Sequence, residues 1–126
     1  MTTAIEEAVW QSGQMTRVSG WGAVAMGGGS IRDLKFVEVP IVDRADCNDT
    51  VSYNGRVTVN MVCAGFQKGG ADSCQGDSGG PLTISVNGKR MLAGVVSWGQ
   101  GCALPNKYGV YTRVSKYNDW LGPLLR

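Results

Sequence analysis

Asp72-Ser73-Cys74-Gln75-Gly76-Asp77-Ser78-Gly79-Gly80-Pro81-Leu82 runs without a break into Thr83-Ile84-Ser85-Val86, then the turn at Asn87-Gly88, then a second run from Arg90 through Val96. The last two thirds of this stretch alternate around an Asn-Gly pair, which predicts an antiparallel hairpin with a type I′ turn. The first third is a serine set among glycines, with an acid beside it and another six residues upstream. Glycine takes backbone angles that other residues avoid and lets another chain come close. Gly76 and the residues after it can therefore aim N–H groups at one point, as stabilisation of a developing oxyanion requires. Ser78 is a candidate nucleophile at the head of a hairpin; taken alone, the same string also reads as a glycine-rich turn with an exposed serine.

Outward from the hairpin the chain keeps to short extended segments. Thr16–Trp21 alternates weakly, and Leu34–Val39 alternates imperfectly, with Pro40 expected to end it. Asp43 is placed to cap a short helix over residues 44–49. Met61–Ala64 and Val110–Val114 read as further strands. Ser115 is placed to cap a last helix through Leu121, with Gly122-Pro123 as its stop. Met26–Ser30 reads as a flexible glycine loop. Many short strands joined by glycine-rich turns, with no internal repeat, argue a small antiparallel barrel.

A chain of 126 residues is sized for one domain, and 43% hydrophobic residues suit a packed core. The net charge is +2 and the 12 Lys and Arg are scattered, so nothing points to nucleic acid. No apolar run approaches the roughly 20 residues of a membrane helix. Residues 1–15 include Glu6 and Glu7 and have no continuous apolar core, so they do not read as a signal peptide. The four cysteines, Cys47, Cys63, Cys74 and Cys102, suggest two disulfides in an oxidising compartment, in any of three pairings. A zinc site is the weaker reading, because there is no Cys-x-x-Cys pair and no histidine.

The Asp72–Leu82 string resembles the nucleophile segment of the trypsin-like (chymotrypsin-fold) serine proteases. The resemblance continues through Ser19-Gly20-Trp21-Gly22, Val62-Cys63-Ala64-Gly65, Val96-Ser97-Trp98-Gly99-Gln100-Gly101-Cys102 and Tyr108-Gly109-Val110-Tyr111-Thr112. It covers only the second of that family's two barrels. It implies an all-β fold, a single six-stranded antiparallel Greek-key barrel with a short C-terminal α-helix, over residues 16–126. Residues 1–15 would be the connection between barrels. An α/β-hydrolase elbow shares the Gly-x-Ser-x-Gly signature, but there the serine leads into a helix and a downstream histidine is required; here a hairpin follows and histidine is absent.

What the resemblance implies residue by residue is as follows. Ser78 is the nucleophile, and the N–H groups of Gly76 and Ser78 form the oxyanion hole. Asp72 is the acid at the floor of the primary specificity pocket, awaiting an Arg or Lys side chain. Ser73 and Gln75 line the same substrate-binding loop. Ser97, Trp98, Gly99 and Gly101 form one wall and Gly109 another, with Ser97–Gly99 also pairing with an extended substrate. Asp77 is the acid that pairs with a new N-terminal ammonium in the mature family fold; without that partner it is expected to turn toward water. The disulfides are Cys47–Cys63 and Cys74–Cys102. Tyr108 stands where many members have proline, and members with an aromatic there often bind sodium, the one cofactor suggested. A triad cannot be completed without histidine. The expected function is therefore the C-terminal half of a trypsin-like endopeptidase, inactive alone. Its partners would be Arg- or Lys-containing peptide substrates, the N-terminal barrel of the same secreted enzyme, and a second copy of itself. The alternatives are a non-catalytic protease-like binding module and a single barrel isolated by engineering to fold alone.

Overall fold

In the computed structural model, which describes residues 10–22, 33–70, 77–102 and 104–125, Asn87 and Gly88 have φ of 50° and 80°. Both lie in the left-handed region, as a type I′ turn demands, and this turn matches the twist of its flanking strands. It joins β4 (Pro81–Val86) to β5 (Lys89–Trp98). The other strands are β1 (Met15–Gly20), β2 (Lys35–Val42), β3 (Met61–Ala64) and β6 (Gly109–Arg113). All pairings are antiparallel, and the ring β1-β2-β3-β6-β5-β4 closes through a β1–β4 contact. β4 returns beside β1 after β1, β2 and β3 have paired in sequence, which is a Greek key. Closure removes the open sheet edges that invite aggregation.

The barrel interior is filled by Val18, Val39, Ile41, Val62, Ala64, Leu82, Val96 and Tyr111. Successive strand residues face opposite ways, so Cys63 and Val110 point outward from β3 and β6. They are nonetheless buried, because the segment after the short helix α1 (Arg44–Cys47) folds over them. Cys47, Tyr53, Val57, Cys63, Tyr108 and Val110 make this second cluster. The Cys47–Cys63 disulfide lies within it. Full burial of an apolar side chain contributes roughly 1.5–3 kcal/mol, so the cluster is a substantial part of the fold.

Three boundaries differ from the sequence reading. Pro40 does not end β2, which continues to Val42. Its imide faces the side where the β3 ladder has not yet begun, and only its carbonyl is used there, by Gly65 N at 2.9 Å; proline is tolerated where no ladder donor is needed. Helix α1 stops at Cys47 rather than residue 49, and Asp43 makes no side-chain cap bond; its backbone carbonyl receives Cys47 N instead. The last helical path runs Val114–Tyr117 as a 3-10 turn, Asn118–Leu121 as helix α2, and Gly122–Leu125 as a 3-10 turn. Gly122-Pro123 does not stop it: Gly122 is helical, and Pro123 falls in the first turn of a new 3-10 segment, where a missing N–H costs no bond. The Met26–Ser30 loop lies outside the described residues.

Candidate active site

Asp77, Ser78, Gly79 and Gly80 form a tight turn at the mouth of β4. Gly80 N donates to Asp77 O at 2.8 Å, and Gly79 has φ of 82°. A type II turn requires that angle at its third residue, which is why glycine stands there. Ser78 occupies the second position and is exposed. The turn is fastened to β5 by Gly79 N to Val96 O and Val96 N to Gly80 O, each 2.9 Å. The hydroxyl of Ser78 is thus carried on a backbone clamp one residue from Ser97.

Asp77 does not turn to water. Its Oδ1 accepts Gly22 N at 2.9 Å, and its carboxylate lies against the turn that follows β1. A Cβ added to Gly20 would fall 1.9 Å from Asp77 Oδ1, and one on Gly22 would fall 2.5 Å from Asp77 Cγ. The two glycines around Trp21 are therefore clearance for this carboxylate. The expected rotation fails because a polar cradle built from the Gly20–Gly22 backbone is already in place to receive Asp77. Ser78 and this cradle border a depression of about 530 Å³ whose lining includes Trp21, Leu34 and Pro81. Trp21 and Leu34 are each 55% exposed.

The proposed pocket walls come together. Trp98 pairs with Val110, immediately after Gly109. Gly109 is buried; Ser97 and Gly99 are exposed; Trp98 and Gly101 are partly covered. The tie between the walls is a residue the sequence reading missed. Tyr53, fully buried, donates its hydroxyl proton to Tyr108 O at 2.6 Å, and its oxygen accepts Gln100 N at 3.0 Å. Its ring meets Trp98 edge to face, 4.8 Å between centroids at 64°. One phenol thus joins the chain before β6 to the chain after β5. The available signal was a lone tyrosine in a polar loop bracketed by Cys47 and Cys63; nothing local in it indicated burial.

Cys47–Cys63 is formed as implied. Cys102 is also disulfide-bonded, while Cys74 lies outside the described residues. So do Asp72, Ser73, Gln75 and Gly76. Burial, and then the Asp46 and Asp49 carboxylates, hold the Tyr108 phenol above its ordinary range. Beside Tyr108, the backbone carbonyl accepts the Tyr53 hydroxyl at 2.6 Å, and among the described residues no group of three or more acids, cysteines or histidines is placed to hold a metal ion.

A trypsin family model matches residues 2–121. The chain is 53% identical to mouse transmembrane protease serine 11C over 106 residues, covering 82% of this chain and 24% of that protein. It is 48% identical to Cavia porcellus coagulation factor IX, covering 82% and 35%. It is 47% identical to Salmo salar trypsin-3, covering 95% and 48%. The chain therefore spans between about a quarter and a half of the length of these relatives. Among the described residues, no helix is long and apolar enough to cross a membrane.

Proposed function

The chain belongs to the trypsin family of serine proteases, and we propose on that footing that it carries the nucleophile and specificity pocket of a peptide-bond hydrolase without the rest of the triad. Residues 16–126 are the catalytic serine's barrel, and residues 1–15 connect it to the barrel that supplies the acid and base. The single observation that carries this reading is Ser78, exposed on a glycine-clamped turn beside the end of β5, in a sequence with no histidine.

A serine hydroxyl is a weak nucleophile until a base takes its proton. In the triad worked out for this very family, histidine takes that proton and later gives it to the leaving amine. Here Ser78 would attack the scissile carbonyl, and the N–H groups of Gly76 and Ser78 would receive the oxyanion. Asp72 would hold an Arg or Lys side chain, and Ser97–Gly99 would pair with the peptide backbone. The histidine and its orienting acid come from the complementary barrel. The apolar depression beside Ser78, with Trp21 and Leu34, is the surface offered to that partner; uncovered, it would drive self-association. The buried Cys47–Cys63 bond supports an oxidising, secretory setting for the parent enzyme.

The test is reconstitution. Mixed or fused with a family barrel bearing the histidine and acid, the chain should hydrolyse Arg- and Lys-amide substrates, and Ser78→Ala should abolish this. Alone it should show at most the residual rate, about 10³–10⁴-fold over water, that survives loss of triad members. Turnover by the lone chain at a full enzymatic rate, or by reconstituted Ser78→Ala, would sink the reading.

A further inference from the structure

Arg56 is held over Trp98, and the inference drawn from it rests on the peptide-pairing edge proposed above for Ser97–Gly99. Its Nε donates to Tyr53 O at 3.2 Å, which anchors the side chain. Its guanidinium carbon lies 5.6 Å from the Tyr53 ring centroid and 5.8 Å from that of Trp98, within cation–π reach. Lys107 Nζ adds a second cation 5.4 Å from the Tyr53 ring. Among the described residues the only ion pair is Arg17–Glu38, so no described carboxylate balances Arg56.

Among the described residues, the strand edge beside it has no partner past Val96. The β4 ladder reaches Val95, opposite Pro81, and the bonds of Val96 to Gly79 and Gly80 close that side. Past Val96, no described strand pairs with Ser97–Gly99 on that edge. Ser78 stands at one end of the edge, Trp98 in its middle, and Arg56 over Trp98.

We propose that Arg56 is a specificity-determining residue that selects an acidic side chain two to four residues before the scissile bond. An extended peptide advances about 3.3 Å per residue. With its reacting carbonyl at Ser78 and its backbone along Ser97–Gly99, those residues lie abreast of Trp98 and beyond it. A carboxylate there gains a charge-assisted bond to a pre-anchored guanidinium. A basic side chain meets two cations and is disfavoured. The expected order is acidic, then neutral, then basic.

The experiment titrates acetyl-Glu-Glu-Gly-Arg amide and acetyl-Gln-Gln-Gly-Arg amide into the full chain and follows the Ser97, Trp98 and Gly99 amide signals. The Glu peptide should bind roughly 2- to 5-fold more tightly at low salt, as partly exposed ion pairs do. The gap should narrow at about 0.5 M salt. Arg56→Gln should bind the two peptides alike, and Arg56→Lys should keep part of the preference. Equal binding to the wild type, or a preference that survives in Arg56→Gln, overturns the role of Arg56 and leaves the strand-pairing reading standing. If neither peptide moves the Ser97–Gly99 signals, that reading itself fails and the role of Arg56 falls with it. The salt series on the wild type decides the matter even if Arg56→Gln does not fold.

Discussion

The Asp77–Gly80 turn and the Asn48–Val57 loop both reach the end of β5, one at Val96 and the other at Gln100, and are held in opposite ways. The turn is backbone work: a glycine at φ 82°, three main-chain hydrogen bonds, and two distant glycines that clear room for Asp77. The loop is side-chain work. Asn48 Nδ2 donates to Val57 O and its Oδ1 accepts Val57 N, both at 2.8 Å, while Tyr53 and the Cys47–Cys63 bond fasten it from below. A backbone device leaves Ser78, the proposed nucleophile, on the outside. A side-chain device needs its key residue inside, where it can position others. Ser78 is accordingly exposed and Tyr53 is not.

The contrast breaks most visibly at the disulfide. Cys47→Ala with Cys63→Ala should cost about 2–5 kcal/mol, since both sulfurs are buried and the closed loop is freed in the unfolded chain. Urea unfolding measures it. The Asp77–Gly80 turn should keep its hydrogen bonds, because none of them crosses the loop; loss of turn and loop together under mild denaturant would show that the two are not separate devices.

Tyr53→Phe sharpens the comparison without emptying the core. It keeps the ring against Trp98 and deletes the oxygen, leaving Tyr108 O and Gln100 N short of a partner. Unpaired polar groups of this kind cost about 1–3 kcal/mol. Amide exchange at Gln100 should rise while that of Gly79 stays unchanged. An unchanged Gln100 would mean that the pocket walls are tied by something other than this phenol.

These two regions also explain what could be read in advance. The turn was legible because its constraints are local: Ser78 set between Gly76 and the Gly79-Gly80 pair, with an acid beside it. The resemblance then supplied the barrel, its strand count and the Cys47–Cys63 pair. Tyr53 was not legible because its partners are Tyr108 and Gln100, 55 and 47 residues away. The cradle for Asp77 was missed for a similar reason. The Ser19–Gly22 block was seen as a motif, but only the fold brings Gly20 and Gly22 against a carboxylate from the far side of the sequence. Pro40 and Gly122-Pro123 were over-read, since each sits where the chain needs no donor.

On the turn's side, Gly20→Ala should push the Asp77 carboxylate away from Gly22. A short side chain can swing, so the expected cost is about 1–2 kcal/mol, toward the low end for overpacking. The Gly22 amide should lose its bonded shift while Gln100 keeps its own, the mirror image of Tyr53→Phe. Gly20→Ala with an unshifted Gly22 amide would place the carboxylate elsewhere.

The smallest effect is the most specific to the loop, and it is read from pH. Burial raises the Tyr108 phenol above its ordinary value, with the Asp46 and Asp49 carboxylates adding to the shift. The unfolded chain releases this proton near pH 10, the usual tyrosine range, at about its intrinsic value. The native chain holds it to higher pH. Between those two points the unfolded state has lost a proton that the native state retains, so raising the pH favours unfolding. The contribution is therefore complete below the ordinary tyrosine value and is lost as pH climbs through the native one. Urea midpoints measured from neutral pH upward should show wild type and Tyr108→Phe running parallel at first, then wild type falling away from the variant once the ordinary tyrosine range is passed. Because Tyr108 shares its cluster with the Cys47–Cys63 bond, the divergence should shrink in the cysteine double variant, where the loop no longer seals the phenol from water. A divergence of the opposite sign, or one untouched by removing the disulfide, would show that charge near the surface and not the side-chain seal controls this residue.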